Sequence, residues 1–365
     1  MREINVSTNE AGQRLDKLLR KYLKNANTSF IYKMLRKKNI VLNDKKAEGK
    51  EILNLGDSVK MYFSEDTFAT MTGRTGQNSG SAETNRAAAA NASAQTAFAG
   101  KNSAQMRRGA SSGNSSERRD QRAFDVEEFR KHIVYEDENL LVLNKPAGWL
   151  SQSDASGLPS VNERCLQYLL ATGTLTEAQL QTFKPGIANR LDRNTSGLIL
   201  FGKTLPALQA LAGLLRDRTM EKYYLAIVCG DIDHAQRIDG YLAKDERTNR
   251  VEIRPQPFQD AIEIHTAYEP LKRSADYTVL KVHLITGKTH QIRAHLRAIG
   301  HPIIGDPKYG RKDANAYYRS HGGVKSQLLH AWELHFPENL DGPLRNLAGR
   351  GITADPPKDF RPFLK

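Results

Sequence analysis

Between residues 71 and 120 the chain contains no Leu, Ile, Val, Tyr or Trp. The stretch is Ala, Ser, Gly, Asn, Gln and Arg, with the run AAAANASAQTA at 87–97. Such a segment cannot bury enough apolar surface to offset the entropy of ordering it. The 365 residues must therefore fold as two bodies, one on each side. We expect 1–64 to be a small basic module, 65–125 a flexible low-complexity linker, and 126–365 the main folded domain. The alanine run favours only a transient helix. Arg107, Arg108, Arg118 and Arg119 read as solvated linker charge.

The formal net charge is +13. The first 64 residues carry more than half of it, with fourteen Lys and Arg against seven Asp and Glu. A surplus of this sign favours polyanions. Within the module, Leu15, Leu18, Leu19 and Tyr22 predict one face of a helix over 14–23. Thr28 or Ser29 is placed to cap a second helix, where Ile31, Met34 and Leu35 repeat at helical spacing. The other face of that helix carries Lys33, Arg36, Lys37 and Lys38, an arrangement that can dock on a phosphate backbone. Strands are expected at 40–42 and 52–59, with turns at Asn43-Asp44 and Leu55-Gly56-Asp57.

In the main domain, strand signals lie at 140–143, 198–201, 223–228, 251–253, 261–268 and 277–284. Helices are expected at 160–171, 206–217 and 289–299. Several neighbouring strands have no helix between them. That predicts an α+β domain with a mostly antiparallel sheet.

Three motifs carry chemistry. In GIANRLDRNTSGLILFGKT, residues 186–204, Asp192 sits between Arg190 and Arg193, ahead of an apolar strand. We expect those arginines to grip the carboxylate and keep it ionised, as catalysis by a carboxylate requires. In KYYLAIVCG, residues 222–230, alternation puts Tyr224, Ala226 and Val228 on one face and Tyr223, Leu225 and Ile227 on the other. One tyrosine is expected in the core and one at the edge of a site. In TGKTHQIRAHLRAIGHPIIGDPKYG, residues 286–310, a helix start collects Lys288, His290 and Arg293, with Arg297 on the same face. That suits an anion, either a phosphate or a catalytic carboxylate.

His290 and His295 are five residues apart, off the spacing that lets two histidines share a metal. No P-loop or GxGxxG motif occurs, and there is no GxSxG elbow between a strand signal and a helix signal, the one such string, GASSG at 109–113, falling in the low-complexity stretch. Asp306 and Glu221 are the only second acids a glycosidase-like pair could use. Two cysteines, Cys165 and Cys229, read as small buried apolar residues in a reducing compartment. No apolar run can span a bilayer, and the N-terminus lacks the core of a secretion signal. We expect a cytoplasmic monomer without metal or nucleotide cofactor.

The segments RLDKLLRKYL and SFIYKMLRKKNIVLNDKKAEGKEILNLGDSVK resemble the S4 RNA-binding domain. VYEDENLLVLNKPAG, NRLDRNTSG, KYYLAIVCG, GKTHQIRAHL, GHPIIGDPKYG and LLHAWELHF, in that order, resemble the RluA family of pseudouridine synthases. The combination is most similar to the RluC and RluD branches, which modify large-subunit (23S) ribosomal RNA. The resemblance implies the pseudouridine synthase fold and the conversion of uridine to pseudouridine without a cofactor. It assigns Asp192 as the catalytic carboxylate and Arg293 as its partner. It also puts Tyr224 beside the uracil, with a hydroxyl able to move a proton, and Arg190 where it holds the flipped nucleotide. Whether the carboxylate forms an ester or supports elimination to a glycal stays open. This chain has Asn189 where the family usually has His, and WLSQSD where it usually has a His-Pro-Gly segment. The same reaction on transfer RNA, and a non-catalytic ribosomal RNA-binding assembly factor, are the alternatives.

Overall fold

The computed structural model describes residues 1–73, 124–245, 247, 250–258 and 260–365. Most of the expected linker, 74–123, lies outside them. The N-terminal body runs β1 (Arg2–Asn5), α1 (Leu15–Tyr22), α2 (Thr28–Arg36), β2 (Ile40–Leu42), β3 (Lys45–Lys46), β4 (Ser58–Met61) and α3 (Glu65–Thr72). Its strands form one antiparallel sheet in the order β1-β4-β2-β3. Leu15, Leu18 and Leu19 of α1 meet Ile31, Met34 and Leu35 of α2 over Ile40, Val59 and Met61. The apolar spacing of both helices is what buries them. Asn43 and Asp44 have φ of 50° and 61°, the paired positive values of a two-residue hairpin turn.

Three expectations for this body need correction. Asn27, not Thr28 or Ser29, caps α2, its side chain accepting from the Phe30 amide at 2.8 Å. The strand expected over 52–59 begins only at Ser58, because Gly56 turns the chain at φ 88° just before it. Residues 65–72, assigned to the linker, are the helix α3. Ser64 caps it, and Phe68 is buried with its ring 5.8 Å from that of Tyr22. Glu10 is almost fully buried, accepting from the Thr182 hydroxyl of the main domain. Lys21 lies 5.9 Å from the Phe183 ring centroid, and Gln209 donates to the Gly12 carbonyl at 3.4 Å. The two bodies thus touch through a small, largely polar contact.

The main domain starts with α4 (Val126–Arg130), β5 (Ile133–Glu136), β6 (Leu140–Lys145), α5 (Val161–Ala171), β7 (Gly186–Ile187), β8 (Ser196–Gly202) and α6 (Leu205–Asp217). It continues through β9 (Glu221–Cys229), β10 (Gln236–Asp245), β11 (Arg250–Arg254), β12 (Ile262–Arg273), β13 (Tyr277–Leu284) and α7 (Gln291–Ala298). It ends with α8 (Lys312–Gly322), β14 (Leu329–His335), β15 (Gly351–Thr353) and α9 (Arg361–Leu364). One sheet runs β11-β10-β12-β13-β9-β14-β8-β6-β5, with β7 on β8 and β15 on β14. Only β14 and β8 pair in parallel among the described strands. The mostly antiparallel α+β architecture is as expected.

Alternation divides the core. Leu141, Leu143, Ile199 and Phe201 join Tyr224, Ala226 and Val228 on the front of the sheet, under α5 and α7. Leu140, Val142, Leu198 and Leu200 face α6 on the other side. Leu225, Ile227 and Cys229 face the C-terminal Phe360 and Phe363. Because both faces are covered, β6 and β8 read as continuous apolar runs. Cys165 and Cys229 are buried free thiols. No helix among the described residues is long and apolar enough to cross a membrane.

His330 on β14 is fully buried. Its Nε2 donates to the Ala354 carbonyl at 3.0 Å and its Nδ1 accepts from the Ser196 hydroxyl at 2.8 Å. Burial lowers it from 6.5 to about 4, and does the same to His295 on α7. The unfolded chain therefore binds these protons at a higher pH than the folded one. Stability should be full above pH 6.5 and fall as pH drops toward 4, by up to ~3 kcal/mol for each histidine. Melting temperatures across that window test this, and His330→Gln should flatten the slope.

Candidate active site

Asp192 lies in the loop that leads into β8, and the chain fixes that loop at four points. The Asn189 amide donates to the Leu198 carbonyl at 3.1 Å and accepts from the Leu200 amide at 2.8 Å. Ser151 Oγ donates to the Leu191 carbonyl at 2.7 Å and accepts from the Leu191 amide at 3.0 Å. The Arg193 carbonyl accepts from the Gly148 amide at 2.8 Å and from Lys145 Nζ at 3.0 Å. Gln327 donates to the Thr195 hydroxyl at 2.7 Å. Asn189 is thus occupied by the backbone of β8. The WLSQSD segment supplies Ser151 and the Trp149 carbonyl.

Gly197 sets how close β8 comes to β14. Its φ is 112°, and a Cβ there would lie 2.2 Å from the Ala331 carbonyl oxygen. Gly197 pairs with Ala331, and Ala331 pairs with Tyr224 on β9. This register brings the Asp192 loop and Tyr224 to one region of the sheet's front face.

The Asp192 carboxylate is held by Arg293, whose Nη1 donates to Oδ2 at 2.6 Å. The expected grip by Arg190 and Arg193 is not what the fold builds. Arg190 is exposed, and the Arg193 side chain turns to the Gly148 carbonyl at 3.2 Å. Neighbours in an irregular loop project in different directions, so adjacency in sequence did not bring the charges together.

Arg293 serves a second acid. Its Nε and Nη2 donate to Asp306 at 2.7 and 2.9 Å, a bidentate pair. Asp306 is fully buried and also accepts from the amides of Lys308 and Tyr309 at 2.8 and 3.0 Å. Burial opposes its charge, but Arg293 and these amides hold its carboxyl below the usual carboxylate range. Burial likewise opposes the Arg293 charge, and Asp306, then Asp192, raise it above the ordinary arginine value. Asp306 is therefore the structural counterion of Arg293. Glu221, the other second acid considered, accepts from Tyr223 on the exposed side of β9 at 3.0 Å.

His290 precedes α7 with φ 55°, a left-handed conformation uncommon for a residue with a side chain. Its Nδ1 meets the Tyr309 hydroxyl at 3.1 Å and its Nε2 lies 3.9 Å from Asp192. Burial lowers its pKa, with Asp192 opposing. Arg297 donates to the Tyr309 carbonyl at 2.9 Å. So the basic cluster of α7 is engaged mainly with the chain's own loop, not with an open anion site. Lys288 is exposed.

Tyr224 is the buried tyrosine of its pair, within the front core beside Leu191 and Ile292. Burial, and then the charge of Asp192, raise its phenol above the ordinary value. Its hydroxyl makes no hydrogen bond to any described residue.

The sequence reading missed Lys145. It is fully buried at the end of β6 and donates to the carbonyls of Pro146, Trp149 and Arg193 at 3.0–3.1 Å. Burial brings its pKa down to about 7, with Asp192 opposing. A lysine followed by proline at the end of an apolar strand was the available signal. Lys33, Arg36, Lys37 and Lys38 are all exposed on or just after α2, away from this cluster in sequence and fold. Among the described residues no group of three or more His, Cys, Asp or Glu is placed to hold a metal.

The carboxylate, its arginine and the buried tyrosine form one cluster on the front face of the sheet, within a chain whose relatives carry a named activity. The profile described as RNA pseudouridylate synthase matches residues 139–298. The ribosomal large subunit pseudouridine synthase D of Pasteurella multocida is 32% identical over 238 residues, 62% of this chain and 68% of that protein. The ribosomal large subunit pseudouridine synthase C of Vibrio cholerae is 28% identical over 334 residues, 91% of this chain and 88% of that protein. The chain belongs to the RNA pseudouridylate synthase family and is an RNA pseudouridine synthase. Human RNA Pseudouridylate Synthase Domain Containing 4 shares the fold, with a TM-score of 0.51, 20% identity, and 65% and 92% of the two chains covered.

Asp306→Asn would leave the buried Arg293 short of a negative partner. We expect a loss of about 3 kcal/mol or more, read as a lower urea midpoint. An unchanged midpoint would show that Asp192 alone balances Arg293.

Proposed function

We propose that this chain converts uridine to pseudouridine in large-subunit ribosomal RNA, with Asp192 as the catalytic carboxylate. The observation that carries this reading is the 2.6 Å bond from Arg293 to Asp192, made by an arginine already fixed on buried Asp306. An acid oriented before substrate arrives loses little freedom in the reaction. The names of the relatives support the ribosomal substrate.

The reaction breaks the N1–C1′ bond, turns the uracil and forms a C5–C1′ bond. C5 loses a proton and N1 gains one, so atoms and electrons balance within the nucleotide. The target must leave its stack, at a cost of a few kcal/mol that is least in loops. In this reading Arg190, exposed two residues before Asp192, holds the space that the target vacates, and exposed Lys288 meets a neighbouring phosphate. Asp192 acts at C1′ or the ring, with Arg293 as its counter-charge. Tyr224 packs against the uracil, and its phenol, kept protonated by burial, offers a hydrogen bond or a proton.

The N-terminal body acts in this reading as an S4-type RNA-binding domain. Lys33, Arg36, Lys37 and Lys38 are exposed without an ion pair among the described residues, which suits phosphate contact. The match to the Vibrio cholerae protein over 91% of this chain supports a shared domain plan.

Asp192→Asn should abolish pseudouridine formation on a large-subunit ribosomal RNA transcript while leaving RNA affinity within about twofold, since one buried-rim carboxyl contributes little to phosphate binding. Mass spectrometry of the product and filter binding read the two quantities. Turnover by the variant would remove Asp192 from its role. Turnover by the wild type on transfer RNA and not on ribosomal RNA would overturn the substrate.

A further inference from the structure

The helix α8 follows the active-site loop and is fastened to it. Asn315 accepts from the Gly305 amide at 2.7 Å and donates to the Asp306 carbonyl at 2.8 Å. Asp306 in turn holds Arg293. None of the chemistry described so far uses the outer surface of α8, yet that surface is not an ordinary solvated face. Lys312 and Arg319, two turns apart, lie along the edge next to Asn315 and are exposed. Tyr317 is 57% exposed, which is unusual for so large a ring. It stacks on His321, with centroids 4.5 Å apart and 23° between planes. On the inner side Tyr318 packs on Phe363 of α9 at 5.5 Å, so α9 lies beside α8. There Arg361 and Lys365 are exposed as well.

Some surface arginines, such as Arg216, Arg254 and Arg273, are paired with a neighbouring acid, as Arg311 at the start of α8 is with Asp313. Lys312, Arg319, Arg361 and Lys365 have no ion pair among the described residues. Lys312 and Arg319 line one edge of the exposed face of α8 and the Tyr317–His321 pair the other, with Asp313 between them neutralised by Arg311. Cations and a ring bordering one face are the elements of a single-strand surface: charge follows the backbone, and a ring accepts an unstacked base.

We propose that α8, with α9 beside it, is a second RNA-contact surface that takes single-stranded RNA flanking the target uridine. Lys312, Arg319, Arg361 and Lys365 meet phosphates, and the Tyr317–His321 pair stacks on a base. The polyanionic occupant follows from the charge, and the choice of RNA rests on the functional reading above. Asn315 joins this surface to the loop that holds Arg293, so RNA bound here approaches the site from a fixed direction.

The test compares two full-length variants with the same change in charge. Lys312→Glu/Arg319→Glu alters the surface, and Arg216→Glu/Arg345→Glu alters exposed cations elsewhere. Affinity for a single-stranded oligouridylate and for a large-subunit ribosomal RNA transcript is measured across salt, with melting temperature as the check on folding. The surface variant should bind about tenfold more weakly, and its salt slope should fall by about 1.4, as for two lost single-strand contacts. The control should keep the wild-type slope. Tyr317→Ala should weaken oligouridylate binding about tenfold with the slope unchanged. Equal behaviour of the two charge variants, or no effect of either, would overturn the proposal. The two readings fail separately. Surface-dependent binding without pseudouridine formation overturns the function, and turnover with surface-independent binding overturns the surface.

Discussion

One guanidinium group organises the centre of this molecule. Arg293 bonds Asp306 through two nitrogens and Asp192 through a third, and its side chain is almost wholly buried. A buried cation between two acids is stable only if its geometry is good and the remaining polar atoms are satisfied. Here the spare capacity of Asp306 is filled by two backbone amides. That leaves Arg293 rigid, and its rigidity is passed to the half-exposed Asp192. The division of labour between the acids follows from solvent access: Asp306 has none, while 27% of the Asp192 side chain remains open. The enclosed acid holds the arginine, and the open one is free to meet a substrate.

Lys145 does for the loop backbone what Arg293 does for the side chain. An ammonium group with no contact to solvent is costly unless its donors are used. Its three donors go to three carbonyls, drawing the turn after β6 onto the carbonyl that follows Asp192 by one residue. Neither residue makes sense as a source of net stability, since apolar replacements would avoid the desolvation cost. Both make sense as devices that specify one conformation of the Asp192 loop.

How much of this was legible before the structure depends on the range of the interaction. Periodicity within one element located α1, α2, β6, β8, β9 and α7, because burial of a face is decided locally. The alternation in 223–228 assigned Tyr224 and Tyr223 to opposite faces, and the sheet agrees. Asp192 stood out by its surroundings, but its partner was misread. Arg190 and Arg193 are near in sequence, and Arg293 is 101 positions away. The helix-start motif offered Arg293 to an anion, phosphate or catalytic carboxylate, but only resemblance named Asp192, since pairing across that distance is set by sheet order. Lys145 was hidden for a related reason: its carbonyl partners carry no residue identity. The linker boundary failed on α3, where a single phenylalanine outweighs an otherwise polar composition by packing on Tyr22. The capping of α2 by Asn27 and the use of Asn189 to brace β8 show the same limit, because an amide can serve loop, strand or ligand equally well.

The contact between the two bodies bears on how the enzyme would find one site in a large RNA. A module joined only by chain would act through effective concentration alone, which falls as the connection lengthens. Here Glu10 is buried against Thr182, and α1 reaches Phe183 through Lys21. A contact this small and polar is weak, as interfaces between domains commonly are. In the proposed function it needs to be no stronger, because RNA bound to the cations of α2 and the Asp192 site together would add its own binding energy to the same arrangement. In the proposed function, the docked geometry favours RNA whose phosphates and target uridine fit the spacing between α2 and Asp192, because RNA that does not fit must break the contact between the bodies to gain both.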